Sequence, residues 1–288
     1  MGRPSRNDRD RIQLPDYAEG IQVKTEDEDP RFNNALARGL AILRAFEIDR
    51  PLLGNLEIAG LTGLPKSTVS RLTYTLTQLG YLRYHEAPGK YELAAGVVGL
   101  AYPYIANQAA PSIARPLMVA LAAKTRTNIG LGVAEGLSVL YLEYALGERE
   151  PNRRQRVGFR VPLIRTSMGR ACIAALPVAE REQLYRTLQS NYPREWPILR
   201  EQLDDAVAQV AARGWCVAAG TFQRLVHSVA VPFLHPDGRT VMAFNSQGAA
   251  AVQTPAVMAR NGRRLLELAE EVLRRMTEAG QGAPSRRT

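Results

Sequence analysis

The chain has 288 residues, 45% apolar and 23% charged, with a formal net charge of +9. That length suits two domains and that apolar share is ample for globular cores. The charged first thirty residues lack a signal-peptide core, and no run of 18 apolar residues occurs, so neither secretion nor membrane spanning is expected. The two cysteines, Cys172 and Cys216, lie far apart in no metal-ligand pattern. They read as small buried hydrophobes in a reducing cytoplasm, with no metal or cofactor implied.

The charge is uneven. Residues 1–110 carry 13 Lys+Arg against 13 Asp+Glu, while residues 111–288 carry 24 against 15. The whole surplus therefore lies in the second part, and global basicity says nothing for a DNA-binding role in the first.

Residues 1–30 mix charges of both signs and include the acidic run 26–29, which predicts a disordered arm. Its arginines, Arg3, Arg6, Arg9 and Arg11, read as a solvated tail or as phosphate contacts. From Asn33 an amphipathic helix is predicted, with Leu36, Leu40, Leu43 and Phe46 as its apolar stripe.

Residues 55–82, NLEIAGLTGLPKSTVSRLTYTLTQLGYL, read as two short helices and a tight turn. Asn55 is the expected cap of the first, Ile58, Ala59 and Leu61 its apolar side, and Gly63 the turn. Pro65 suits the first turn of the second helix. At 100° per residue, Val69, Leu72, Leu76 and Leu79 form one stripe of that helix. Ser67, Ser70, Arg71, Tyr74 and Gln78 lie opposite, with no carboxylate among them. Base edges offer donors and acceptors while phosphates repel acids, so this face suits a DNA groove. Lys66 and the amides of the first turn, with Thr68 beside them, are placed for a phosphate. An ordinary helical hairpin would show the same period. The residues after it favour DNA, because Tyr81 to Tyr84 and Tyr91 to Leu93 read as a hairpin tipped with Arg83 and Lys90. Helix, helix and hairpin make a winged helix-turn-helix, predicted over residues 31–95, that binds double-stranded operator DNA.

Residues 96–110 are apolar and contain Pro103, too short to span a membrane. They read as a linker helix, buried against a second copy or within its own chain. Dimerisation, as a homodimer or dimer of dimers, is expected because one recognition helix reads too few bases.

Residues 111–278 mix helices and strands, with a polar tail at 279–288. Helices are predicted at 114–125, 168–176, 179–189, 198–212 and from 255 to about 276. Strands are predicted at 128–133, 138–144, 157–160, 227–234 and 240–246, the last two joined across Asp237-Gly238. The expected fold class is α+β, with an antiparallel central sheet flanked by helices. Asn245 and Gln247 sit two apart and share a face, and Ser228 lies on the partner strand. These polar groups interrupting apolar strands are candidate pocket lining. Arg165 and Arg170 are candidates to pair with a carboxylate ligand. The arginine-rich loop 149–160 is either solvated or an attractor of anionic effector or DNA.

An enzyme is the rival class. The three histidines, His85, His227 and His235, show no nucleophile or metal-ligand spacing. A Cys216–His227 pair for a small-molecule hydrolase is conceivable, but nothing orients a third member. No enzymatic activity is expected.

Taken together, these segments make the chain resemble the IclR-type transcriptional regulators. The likeness rests on ALARGLAILRAF (35–46), EIAGLTGLPKSTVSRLTYTLTQLGYL (57–82) and KYEL (90–93) in the first half. In the second half it rests on VGFRVPLIRTSMGRACIAALP (157–177), the Gly-Trp pair at 214–215 and HSVAVPFLHPDGRTVMAFNSQGA (227–249). The resemblance implies a winged helix-turn-helix joined to a GAF-like effector domain, a repressor or activator responding to a small organic or aromatic acid. It places the effector against Thr166, Ser167 and Met168 and against Ser228, Asn245 and Gln247. Some relatives carry an acidic residue shortly after the position of Trp215, where this chain reads CVAAG (216–220). Asn245 and Gln247 stand where some relatives carry small hydroxyl residues, implying a differently shaped or smaller pocket. A constitutive DNA-binding protein without ligand control is the alternative reading.

Overall fold

The computed structural model describes residues 31–147 and 156–282. The chain divides into two compact units, Met1–Asn107 and Gln108–Thr288. The predicted arm at 1–30 and most of the arginine-rich loop lie outside the described residues.

The first unit runs α1 (Asn34–Arg44), α2 (Asn55–Thr62), α3 (Lys66–Gln78), β1 (Leu82–His85), β2 (Lys90–Leu93) and α4 (Gly96–Ala106). Asn33 caps α1, its side chain accepting from the Leu36 amide at 3.0 Å. The buried side of α1 and of the two residues after it is Ala41, Ile42, Ala45 and Phe46, whereas Leu36 and Leu40 are exposed. The predicted stripe is thus corrected in its first half: Leu43 and Phe46 pack on the core, while Leu36 and Leu40 face outward and the small alanines let this segment approach α2 and α3. Ile42, Leu53, Ile58, Leu64, Val69 and Leu82 form the core of this unit.

The cap of α2 also differs from expectation. Gly54 precedes the helix, and its amide donates to the Glu57 carboxylate at 2.7 Å. Asn55 is instead the first helical residue, with its Oδ1 3.3 Å from the buried Thr73 hydroxyl oxygen of α3. Gly63 turns the chain at φ +68°, a conformation that costs glycine little. Pro65 sits just before α3 rather than inside it. Val69 and Leu76 are buried and Leu72 half-buried, but Leu79 at the helix end is exposed.

β1 and β2 pair antiparallel from Leu82 opposite Leu93 to His85 opposite Lys90, and the turn at 86–89 closes on Gly89 at φ +64°. Leu53 exchanges both backbone hydrogen bonds with Tyr91, adding a bridge to the hairpin that the sequence did not announce.

The second unit begins with α5 (Ala109–Thr125), five residues earlier than predicted. It continues through β3 (Asn128–Glu135), β4 (Ser138–Ala145), β5 (Arg160–Pro162), α6 (Ser167–Ala175), α7 (Val178–Asn191) and α8 (Trp196–Arg213). The remainder is β6 (Cys216–Ala219), β7 (Val226–Leu234), β8 (Val241–Ala249) and α9 (Pro255–Gly282). The strands form one antiparallel sheet in the order β5-β4-β3-β8-β7-β6. β6, which no alternation announced, is its short edge. Past residue 230 that edge stops, so Pro232 in β7 turns its missing donor away from any ladder.

The sheet has two apolar faces. Ile129, Leu131, Val229, Val231 and Phe244 pack with Met118 of α5 and Leu265 and Val272 of α9. Val139, Tyr141, Ala230 and Ala243 pack with Met168 and Cys172 of α6 and Leu199 and Leu203 of α8. The helices therefore sandwich the sheet in three layers. One irregularity shapes the second of these faces. β3 meets β4 with Leu131 opposite Glu143, then Gly132 opposite Tyr141, so Leu142 is an extra residue. That bulge turns Tyr141 and Tyr144, three apart, to the same face.

Candidate nucleic-acid interface and effector cleft

The outer face of α3 is built as predicted. Lys66, Ser67, Ser70, Arg71, Tyr74 and Gln78 are placed on the side away from the core, and Thr68 stands at the helix start. The inward threonines consume their own hydroxyls: Thr73 donates to the Val69 carbonyl at 2.9 Å and Thr77 to the Thr73 carbonyl at 2.8 Å. Buried hydroxyls are thereby satisfied within the helix. The outer side chains are left for a partner.

The wing is more committed than its sequence suggests. Arg83 faces Glu92 across the hairpin at 3.2 Å, and Lys90 meets Glu57 of α2 at 3.0 Å. Neither cation stands at the tip, which is the turn at 86–89. Arg83 remains 66% exposed, and a surface pair of this kind is worth little against a phosphate. Lys90 instead pins the wing to α2. The Gly54 amide and Lys90 together hold the Glu57 carboxyl below its ordinary value.

In the second unit a cleft of about 360 Å³, open space included, lies over the face that carries Tyr141. Thr166, Ser228, Asn245 and Gln247 line it, with Tyr141, Val161, Arg165, Ala218, Thr221, Phe222, Gln223 and Val226. Asn245 donates through Nδ2 to the Tyr141 oxygen at 3.2 Å, and Gln247 through Nε2 to the Tyr144 oxygen at 2.7 Å. Asn245 is only 3% exposed, and its Oδ1 has no partner among the described residues. Burial pushes the Tyr141 phenol well above its usual range, so it stays protonated.

Two of the predicted loop residues do not line the cleft. Ser167 and Met168 are fully buried behind its wall, because α6 starts there and turns them inward. Ser167 donates to the Ser228 hydroxyl at 2.8 Å and so acts on the cleft through Ser228. Thr166 does line the cleft, yet its hydroxyl caps α6 by accepting from the Gly169 amide at 3.1 Å and donates to the Pro162 carbonyl at 2.9 Å.

The two arginines separate cleanly. Arg165 lines the cleft, pairs with Glu195 at 2.6 Å and lies 5.7 Å from the Tyr192 ring centre. Arg170 is 4% exposed and spends its guanidinium on the Ile164 carbonyl at 3.2 Å and on Gln202. It is a core brace and is unavailable to a ligand. In the described part of the loop, Arg160 pairs with Glu135 at 2.6 Å. Among the described residues no carboxylate lines the cleft, and Arg165 is its one charged lining residue.

The hydrolase pair does not form. Cys216 lies opposite Ala230 and His227 opposite Ala219, so the two side chains point to opposite faces. Burial pushes the Cys216 thiol up to about 12, leaving no thiolate near neutrality. His227 meets the Gln253 carbonyl instead, at 3.4 Å.

Sequence reasoning missed Tyr141 and Tyr144, since strict alternation puts residues three apart on opposite faces. It also missed the cleft rim at Thr221 and Phe222. The clearest available signal for that rim was Gly220, which takes φ +68° where β6 ends.

A winged helix-turn-helix together with a sheet domain that carries a polar-floored cleft defines the architecture of a ligand-responsive transcription factor. Residues 35–86 match the IclR helix-turn-helix domain, and residues 103–274 match the bacterial transcriptional regulator IclR C-terminal domain. The chain belongs to the IclR family and is a DNA-binding transcriptional regulator. It is 34% identical over 220 residues to the HTH-type transcriptional regulator TsaQ1/TsaQ2 of Comamonas testosteroni, covering 75% of this chain and 78% of the relative. The crystal structure of an IclR family transcriptional regulator from Brucella abortus superposes with a TM-score of 0.74 at 38% identity, over 88% of this chain and 96% of that one. An IclR homolog from Microbacterium hydrocarbonoxydans, complexed with 4-hydroxybenzoate, gives a TM-score of 0.64 at 23% identity, over 84% and 99%. At that identity the likeness is one of fold. Among the described residues no helix is long and apolar enough to cross a membrane.

Proposed function

We propose that this regulator binds operator DNA as a homodimer through the outer face of α3, and that a small aromatic carboxylate in the cleft changes its affinity. The observation that carries the effector class is the charge of the cleft: among its described lining residues, one arginine and no carboxylate. An anion entering there meets the Arg165 guanidinium, which it shares with Glu195, while Phe222, Val161 and Val226 supply apolar walls for a flat body. The 4-hydroxybenzoate held by the Microbacterium homolog is of this class. Lys66, Ser67, Thr68, Ser70, Arg71, Tyr74 and Gln78 are the DNA contacts from α3, Arg83 adds a phosphate contact, and Lys90 sets the wing.

Dimerisation rests on α4. Its sequence GVVGLAYPYIA holds no charged side chain and none of its residues is buried. A surface helix in water ordinarily carries a polar face, so an all-apolar one calls for a cover. A second copy of the same helix supplies one of matching character, and twofold symmetry brings a second recognition helix to a second half-site. We place the protein in the cytoplasm and read it as a regulator rather than an enzyme, the class to which its family belongs.

The test is a melting-temperature screen of the full-length protein against small acids, repeated with DNA from the region upstream of its own gene. A rise in melting temperature with an aromatic acid, together with a changed gel shift on that DNA, is the expected result. DNA binding with no response to any acid would establish the constitutive alternative instead.

A further inference from the structure

The floor of the cleft holds an unfinished hydrogen-bond pair. Asn245 and Tyr141 are both almost wholly buried, and they are joined by one bond from Nδ2 to the phenol oxygen. That bond uses an acceptor on Tyr141 and a donor on Asn245. It leaves the phenol proton to give and the Asn245 Oδ1 to receive, the latter with no partner among the described residues. A buried acceptor without a donor is left unsatisfied at a cost, so a ligand that supplies the donor recovers it. The arrangement is built in: Gly130 lies opposite Asn245 on β3, and a methyl there would overlap both the Tyr141 ring and the Asn245 oxygen. The bulge in β4 is what aims Tyr141 at this face.

Resting on the reading of the cleft as an effector site, we propose that the Tyr141–Asn245 pair reads a hydroxyl on the effector. A hydroxyl both gives and receives, so it accepts from the Tyr141 O–H and donates to the Asn245 Oδ1 in one position. A carboxylate or an ether only receives and leaves Oδ1 unmatched. The acid end of the ligand therefore belongs with Arg165 and the hydroxyl end with Asn245. This ranks the effector class: hydroxylated aromatic acids above the bare acid, and the bare acid level with its ether. Sites that bond a substrate hydroxyl discriminate strongly against the analogue lacking it, because their own polar groups are then left unpaired.

Calorimetric titration of the full-length protein with 4-hydroxybenzoate, benzoate, 4-methoxybenzoate and phenol tests this. The expected result is that 4-hydroxybenzoate binds on the order of tenfold or more tightly than benzoate or the methyl ether. Asn245→Ala and, separately, Tyr141→Phe should erase that preference while benzoate still binds. Tyr141→Phe keeps the buried ring, so it stays informative if Asn245→Ala folds poorly. Equal affinity for the three acids, or a preference that survives both substitutions, overturns the hydroxyl reader and leaves the acid cleft standing. Phenol binding that depends on Asn245, with no acid bound, keeps the reader and overturns the acid assignment. No binding by any of the four overturns both.

Discussion

At the scale of single residues, the second unit is set by close approaches that only particular side chains allow. Gly169 lies in α6 directly against the Leu163 backbone, where an added methyl would overlap the carbonyl. Backbone cannot rotate aside as a side chain can, so Gly169→Ala should cost about 3 kcal/mol or more, the upper end of overpacking. Urea unfolding of the variant measures it, and a loss below about 1 kcal/mol would show that the loop before α6 can shift. Asp237 holds the β7–β8 turn differently. Its carboxylate accepts from the Thr240 hydroxyl at 2.6 Å and from the Thr240 and Arg239 amides at 2.8 Å, which together keep it far below the usual carboxylate range. A depressed folded value means stability that is present at neutral pH and lost as pH falls below the unfolded value of an aspartate. Asp237→Asn should therefore lower the melting temperature at pH 7, and the gap to the parent should narrow steadily as pH falls through about 4. A gap independent of pH would mean the turn owes nothing to that charge.

At the scale of elements, the proposed DNA contacts divide α3 between base and phosphate. Arg71 sits in the middle of the outer face and Lys66 at its first turn. Arg71→Ala should cost about 1–3 kcal/mol on the preferred site and relax base preference there. Lys66→Ala should weaken binding to all sequences alike and reduce the salt dependence by about one counterion. Gel shifts on operator and scrambled DNA separate the two, and equal behaviour of the variants would mean that α3 is not the reader. This helix was legible because its polar and apolar sides differ in every turn. In α1 the same periodicity was half right: Leu43 and Phe46 pack on the core, but Leu36 and Leu40 are exposed. Ala41 and Ala45, which a hydrophobicity count passes over, are buried because small residues let helices pack closely. The cleft was half legible. Asn245, Gln247 and Ser228 share a face by simple alternation, and that much comes from period two. Tyr141 and Tyr144 come only from the bulge, which depends on strand pairing and leaves no trace in local composition. Ser167 and Met168 fell behind the wall because the helix began at Ser167 and turned both inward.

At the scale of the whole molecule, the proposed effector and operator must be coupled reciprocally: whatever factor an acid in the cleft applies to operator affinity, the operator applies to acid affinity. α4 has a further consequence. A helix with no charged side chain and no buried residue presents to water a surface that a cover would remove. If the cover is another copy, the law of mass action enters the folding equilibrium, and dilution acts like a mild denaturant. The melting temperature should then climb as the protein is concentrated, and Leu100→Lys should flatten that climb and leave a monomer in sedimentation. A melting temperature indifferent to concentration in the parent chain would rule this out. Under this rule gene dosage is itself a regulatory input, since below some copy number the cell would hold subunits too sparse to keep their own linker helices dry.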